Sequence, residues 1–342
     1  IDDYGADALR FTLTALAAQG RDIKLSTGRI EGYRNFVTKV WNAARFTQMN
    51  GCVPVADYDP AACKLTVNQW IVGETAKAGA DIVAALESYR FNEVAQVGYR
   101  FAWNQFCDWY LEFTKPILQD GDDAAQAEVR ATTSWVLDQI LKFMQPIMPF
   151  VTQELWVQLA PPEGREGLLM LQSWPALGDE LRSPDAEEEM AWVVRMVSEI
   201  RTVRAEMNVP PSAELPLTLT GASDATIARL ETQKGLLARL ARLSGVSVSD
   251  TVPKGAVQVV VDEATAALPI GEFIDVAQEV ARLEKEIGKV DGEIGKIEKK
   301  LANESFIAKA PPAVVEEQRA RADDYQQSRM KLNEALDRLS TL

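Results

Sequence analysis

Apolar residues recur at spacings of three and four along most of the first 175 positions and again over the last 70, whereas 215–221 and 257–262 alternate. Spacings of three and four stripe one face of a helix, and alternation lines one face of a strand. The pattern therefore predicts helices at both ends of the chain with a short mixed segment between them. A first helix starts near Asp7 and stops at Gly20; a second, offered Ser26 or Thr27 as its cap, runs to the Asn50-Gly51 stop. Periodicity resumes from Val67 to Tyr89, Asn92 caps a further helix that Pro116 ends, and two more run over Ala124–Met144 and from Pro149. Beyond Asp185 a helix reaches Met207, LPLTLTG at 215–221 reads as a strand, and a helix covers roughly 224–244. VQVVVD at 257–262 is a second strand, able to pair with the run near Ala266–Ile270.

The last segment carries the sharpest pattern. Phe273, Val276, Val280, Leu283, Ile287, Val290, Ile294, Ile297 and Leu301 form a heptad seam without polar interruption. After Pro311-Pro312 a second seam follows: Val315, Gln318, Ala322, Tyr325, Arg329, Leu332, Leu336 and Leu339. One antiparallel register satisfies both, setting Leu301 against Gln318, Ile294 against Tyr325, Ile287 against Leu332 and Val280 against Leu339. It puts Arg329 opposite Val290 with its guanidinium reaching outward, and Glu298 beside Arg319. At ~1.5 Å per residue the hairpin is on the order of 40 Å long. The fold class expected is mainly α: a helical bundle, a small α+β module and a C-terminal antiparallel coiled-coil hairpin.

Composition narrows the chemistry. The 342 residues, 47% hydrophobic and 25% charged, are enough for two or three domains. No apolar run reaches the ~18 residues of a membrane span and no secretory signal pattern opens the chain, so a cytoplasmic protein with no membrane partner is expected. Cys52, Cys63 and Cys107 are odd in number and widely spaced, which argues against a disulfide framework or a zinc knuckle, and they are expected as buried, reduced thiols. Histidine is absent, which removes imidazole bases and His metal ligands together, and no phosphate loop of the GxxxxGK[ST] type occurs. No catalytic residue, metal ligand or cofactor site is expected in this chain. Net charge is −14, yet from position 273 onward 12 Lys and Arg face 14 Asp and Glu, against 36 and 50 for the whole chain.

Two arrays of side chains could meet a ligand. On the second helix Ile30, Tyr33, Val37, Val40 and Ala44 supply a core stripe, while Asn35, Lys39, Asn42 and Phe46 recur along another face, with Arg45 beside them. Amides read base edges, a lysine meets phosphate and a ring stacks an unpaired base, which are the tools for a single-stranded RNA loop. A solvated face with Phe46 packed on a neighbour accounts for the same spacing. On the first arm helix the heptad sends Arg282, Lys289 and Lys296 to c and Lys285 and Lys299 to f, all facing away from the seam. Acids (Glu284, Glu286, Asp291, Glu293, Glu298) flank it. That ridge suits RNA phosphates or is a plain solvated face. Gly288, Gly292 and Gly295 sit on the exposed side. The cluster Phe101, Trp103, Phe106, Trp109, Tyr110 and Phe113 wraps several faces and is expected mostly as core. Asp108 and Glu112 read as solvated or as ion-pair partners for Lys115.

Several phrases carry a family resemblance. YGADALRFTLTALAAQGRDI at 4–23 with GYRNFVTKVWNAARF at 32–46 resembles the valyl-tRNA synthetases. FCDWYLEFTKP at 106–116 and LKFMQPIMPFVTQELW at 141–156 are similar to the anticodon-binding bundle of that class. LANESFIAKAPPAVV at 301–315 is similar to the tip of the family's C-terminal arm. Gln145 and Gln153 stand where the pattern has His and Glu, which bears on local hydrogen bonding. Isoleucine and leucine relatives fit less well, because GRDI, WNAARF and the heptad tail occur together here.

The resemblance implies a C-terminal fragment: 1–27 the end of a linker beneath the catalytic domain, 28–175 a helical anticodon-binding domain, 176–272 an α+β module and 273–342 a tRNA-binding arm. It implies that the whole enzyme joins valine to tRNA(Val) using ATP and Mg²⁺, with activation and editing of misattached threonine upstream of Ile1. The partner implied is tRNA(Val), with Asn35, Lys39, Asn42, Arg45 and Phe46 at the anticodon and Arg282, Lys285, Lys289, Lys296 and Lys299 on the tRNA backbone. The chain is expected to be a monomer without activity of its own. Two rivals remain, a scaffold that dimerises through the coiled coil and a free-standing RNA-binding module.

Overall fold

In the computed structural model, which describes residues 1–18, 22–271, 273–303 and 311–340, the periodic segments are helices and the alternating ones strands. Two units divide the chain, 1–191 and 192–342.

The first unit is helical: α1 (Ala6–Leu16), α2 (Thr27–Met49), α3 (Thr66–Glu87), α4 (Phe91–Tyr99), α5 (Leu111–Asp120), α6 (Asp123–Met144) and α7 (Pro149–Gln158). The centrally packed α3 and α6 bury Ile71, Ile82, Leu137 and Ile140 almost completely, and Phe101, Phe106, Tyr110 and Phe113 fill the space beside them. Removing rings of this size from water is the main stabilising term of the bundle. Carboxylates far away in sequence satisfy two helix starts. Asp7 accepts from the N–H groups of Phe150 (3.3 Å) and Val151 (2.6 Å) at the start of α7. Glu128 on α6 accepts from Lys64 N, Leu65 N and Asn68 Nδ2 at 2.9–3.1 Å where α3 begins. Each holds a negative charge at the positive end of a helix dipole and joins two elements.

Three helix boundaries differ from expectation. The helix α1 ends at Leu16, short of the expected stop at Gly20, a position that lies outside the described residues. Asn92 is not a cap: α4 starts at Phe91 behind Arg90. Pro116 does not end a helix but sits inside α5. Immediately upstream, Arg100–Tyr110 widens into π-helical turns, and the Thr114 hydroxyl donates to the Leu111 carbonyl at 2.8 Å. A side-chain donor of this kind is one way a helix accommodates a residue without an N–H. The Asn50-Gly51 stop forms as expected, with Gly51 at φ 68° and Cys52 N donating to Thr47 O at 2.9 Å.

The helix α8 (Pro184–Glu206) crosses the division between the units, and its buried Trp192, Val193, Met196, Val197 and Ile200 belong to the core of the second. There β1 (Leu215–Thr220), β2 (Leu243–Val248), β3 (Ala256–Val261) and β4 (Ala264–Pro269) form one sheet in the order β2-β1-β4-β3, with α9 (Asp224–Ala241) crossing from β1 to its parallel neighbour β2. The hairpin of β3 and β4 is the expected pair. The strand β2 was not expected. Arg242 turns left-handed (φ 53°) to end α9 at Ala241, and LSGVSV has too few apolar residues to show alternation. At the end of β1 the Glu263 carboxylate accepts from Ser223 N (3.2 Å), Ser223 Oγ (2.7 Å) and Thr226 Oγ1 (2.6 Å).

The arm is an antiparallel pair, α10 (Val276–Leu301) against α11 (Pro312–Ser340). Asp275 caps α10 through Gln278 N at 3.0 Å, and Pro312 opens α11 at a first-turn position where no N–H is needed. Leu283, Ile294, Ile297, Val315, Ala322 and Leu339 are buried along the seam. The register is the expected one: Arg329 Nε meets Asp291 Oδ1 at 2.8 Å and Lys300 Nζ meets Gln318 Oε1 at 3.4 Å. The expected Glu298–Arg319 neighbours take no such pair among the described residues; Arg319 faces Glu316 on its own helix at 3.8 Å. The tip phrase at 301–315 lies partly outside the described residues.

Hydrogen bonds from Thr226 and Ser223 hold the Glu263 carboxyl down at about 2. Because the folded value is depressed, its contribution to stability is complete above the ordinary glutamate range and fades as the pH falls toward 2. Urea midpoints of the parent and Glu263→Gln should therefore differ most at pH 6 and converge between pH 4 and 2.5.

Candidate nucleic-acid interface

The helix α2 presents two faces. Inward lie Phe36, Val40, Ala43, Ala44 and Thr47, all buried, with Ile30, Tyr33 and Val37 half-buried at the edge. Phe36 was not part of the expected core stripe, yet it is fully enclosed and its ring lies 5.1 Å from Phe11 and 4.8 Å from Tyr99. Outward lie the five residues singled out from the sequence. Asn35, Asn42 and Arg45 are exposed, and their side chains have no hydrogen-bond partner among the described residues. Phe46 and Lys39 are half-buried. The face thus offers two free amides, a free guanidinium and a ring edge.

Lys39 is engaged. Its Nζ lies 2.9 Å from Asp108 Oδ1 and 5.2 Å from the centre of the Trp103 ring. Partial burial alone would lower its pKa, but the hydrogen bond and charge of Asp108 prevail and raise it. The π-helical stretch makes this meeting possible by carrying both Trp103 and Asp108 toward α2. Trp103 stacks on Tyr99 at 5.5 Å and on Phe36 at 6.2 Å. The carboxylate pair expected beside Lys115 is split: Glu112 bonds Lys115, while Asp108 serves Lys39 from 69 residues away. Trp103 and Asp108 belong to this surface, and the sequence held no signal for that beyond an aromatic cluster. Gln145 and Gln153 both find partners, Gln145 accepting from Thr152 Oγ1 and Gln153 from Leu169 N at 2.8 Å.

All three cysteines are buried and free. Desolvation pushes the Cys52 thiol up to about 11 and the Cys107 thiol to about 12, so neither is a nucleophile near neutral pH. Among the described residues no three His, Cys, Asp or Glu side chains assemble into a group that could hold a metal ion, so no residue here is assigned to Mg²⁺. No described helix is long and apolar enough to cross a membrane.

On the arm the five cations divide. Lys285, Lys289, Lys296 and Lys299 are exposed, and Arg282 is half-buried. Arg282 bonds Glu279 and, at 2.8 Å, Glu286; Lys296 Nζ reaches Glu293 Oε1 at 2.6 Å. Lys285, Lys289 and Lys299 have no ion-pair partner among the described residues. Between them, added Cβ atoms at Gly288, Gly292 and Gly295 would meet nothing within 4 Å, so the helix backbone is bare on this side.

Residues 68–219 match the anticodon-binding domain of tRNA ligases, and residues 275–340 match the tRNA binding arm of valyl tRNA synthetase. The chain belongs to the valyl-tRNA synthetase family. It is 52% identical to a valine–tRNA ligase of Caulobacter vibrioides over its full length, covering 38% of that protein, and 50% identical to one of Mesorhizobium japonicum, over 99% of this chain and 36% of that one. It therefore spans little more than a third of these relatives, the part that carries these two matched domains. A LeuRS–tRNA–LeuAMS complex from Agrobacterium radiobacter is also similar, with a TM-score of 0.42 and 16% identity over 61% of this chain and 27% of that one, too slight a likeness to decide anything. The arm match coincides with α10 and α11, and the anticodon-binding match contains Trp103 and Asp108.

On this surface, Asp108→Asn should lower the Lys39 pKa by removing the charge that holds it up, measurable by NMR titration of the lysine Cε resonance. Stability should fall by no more than about 1 kcal/mol, since the pair is more than a third exposed.

Proposed function

We propose that this chain is the tRNA-binding part of a valine–tRNA ligase acting on tRNA(Val), that the anticodon loop lies on the outer face of α2, and that the arm follows the tRNA backbone elsewhere. The observation that carries this is the row Asn35, Lys39, Asn42, Arg45 and Phe46. Free amides and a free guanidinium stand beside a half-exposed ring, on a helix packed against the segment matched to the anticodon-binding domain. A face meant only for solvent has no need of Phe46 or of a lysine held over Trp103. Unpaired bases stack on such rings and are read by such amides. On the arm, three unpaired lysines beside bare backbone favour phosphate contacts, which position an RNA without reading its sequence.

In this reading ligation, with ATP and Mg²⁺, belongs to the part of the ligase outside this chain, as does editing. Alone the chain is inactive, and valine-dependent pyrophosphate exchange above background would refute that. The hairpin seam is filled by its own two helices, which favours a monomer over a scaffold dimerising through a coiled coil. A cytoplasmic location follows from the reaction proposed.

Phe46→Ala should weaken binding of the tRNA(Val) anticodon stem-loop by about 5- to 150-fold, from ~1–3 kcal/mol of lost stacking, with an unchanged circular dichroism spectrum. Stem-loop binding equal to the parent's would make the face structural. Replacing Arg282, Lys285, Lys289, Lys296 and Lys299 with Gln should leave stem-loop binding intact. It should weaken full-length tRNA binding and flatten its salt dependence, by similar factors for valine tRNA and other tRNAs.

A further inference from the structure

Beside Lys39 and Trp103 the first unit holds a cavity of about 550 Å³ between α1, α2 and α4. That volume is in the ~300–1,000 Å³ range of small-ligand sites. Phe11 forms its floor, with Tyr33 at 4.7 Å and Tyr99 at 6.5 Å between ring centres, and the two tyrosines meet edge to face at 6.2 Å. Its charged lining residues are Arg29 and Arg100, both exposed. Neither has a hydrogen-bond or ion-pair partner from its side chain among the described residues, although Arg100 also borders a smaller hollow that contains Glu74 and Asp81. The chain carries a net charge of −14, yet the charged lining of this aromatic cavity is cationic. Gly32 opens one wall: a Cβ there would meet nothing within 4 Å.

We propose that this cavity takes one unstacked nucleobase of the RNA loop that lies on α2, its ring against Tyr33 and Tyr99 and its flanking phosphates on Arg29 and Arg100. Rings accept a base face without regard to its identity, and guanidinium groups match phosphate oxygens in paired hydrogen bonds. The cavity adjoins the α2 face, because Tyr99 lines it and also stacks on Trp103. From Arg29 to Lys39 along α2 is ten residues, ~15 Å, or about four stacked nucleotide steps of ~3.4 Å. A loop read at Asn35–Phe46 therefore reaches the cavity without leaving the helix. This inference rests on the reading of α2 as the anticodon-loop surface.

The test uses the whole chain and anticodon stem-loops carrying 2-aminopurine at each unpaired position in turn. One position should show protein-dependent quenching that Gly32→Leu abolishes, because the new side chain fills the mouth. Gly32→Leu should also weaken binding by on the order of tenfold. Arg29→Gln with Arg100→Gln, both on the surface, should weaken binding and reduce the slope of log affinity against log salt by roughly 0.7 for each phosphate released. If Phe46→Ala weakens the stem-loop while Gly32→Leu and the double Gln variant bind like the parent, the cavity is not a base site, although the α2 reading stands. If the parent binds no stem-loop, both fail. If Gly32→Leu weakens binding without a quenched position, the cavity acts by another route and the base assignment is overturned.

Discussion

A run of packed rings, Phe11, Phe36, Tyr99 and Trp103, ties three separate stretches of chain into one surface along α2. Consecutive centres lie 5.1, 4.8 and 5.5 Å apart, within the range where offset and tilted aromatic pairs attract. Phe11 and Phe36 are almost wholly buried, whereas Tyr99 and Trp103 emerge half-exposed. The stack thus starts as core and ends as surface. What lies on one side of it is the cavity, and on the other is Lys39 with Asp108. Losing Tyr99 would remove the ring that lines the one and stacks on Trp103 at the other.

The π-helical stretch is the geometric partner of that stack. An α-helix continued from Tyr99 would rotate Trp103 and Asp108 by ~100° per residue; wider turns reset that rotation and bring both toward α2. Pro116 follows in the regular helix α5, where the Thr114 hydroxyl donates to the Leu111 carbonyl.

The acidic balance of the chain and an RNA partner are reconciled by placement. Many acids are engaged within the fold: Asp7 and Glu128 cap helices, Asp291 holds the hairpin register and Glu263 ties a strand end to α9. Arg45, Arg29, Arg100 and the three unpaired arm lysines are left facing outward. Counterion release depends on the cations that meet phosphate and not on the net charge of the molecule. Asp108 is the exception near the site, and there a carboxylate fixes a lysine whose ammonium still lies partly in solvent.

Local periodicity determined most helices, the β3–β4 hairpin and the antiparallel register of the arm, since each follows from spacings within one or two adjacent segments. The heptad is the strongest case: a seam repeats, so pairing one position pairs them all. The outward row on α2 was legible for the same reason. Tertiary structure alone decided what spacing does not encode. It turned Asp108 to Lys39 instead of Lys115, carried Trp103 from the core to the surface, kept Pro116 inside a helix and added β2 through a left-handed Arg242. It also assembled the cavity from α1, α2 and α4. Each of these depends on residues that meet only when distant elements pack, and the free energy of that meeting belongs to the pair, not to either stretch of sequence.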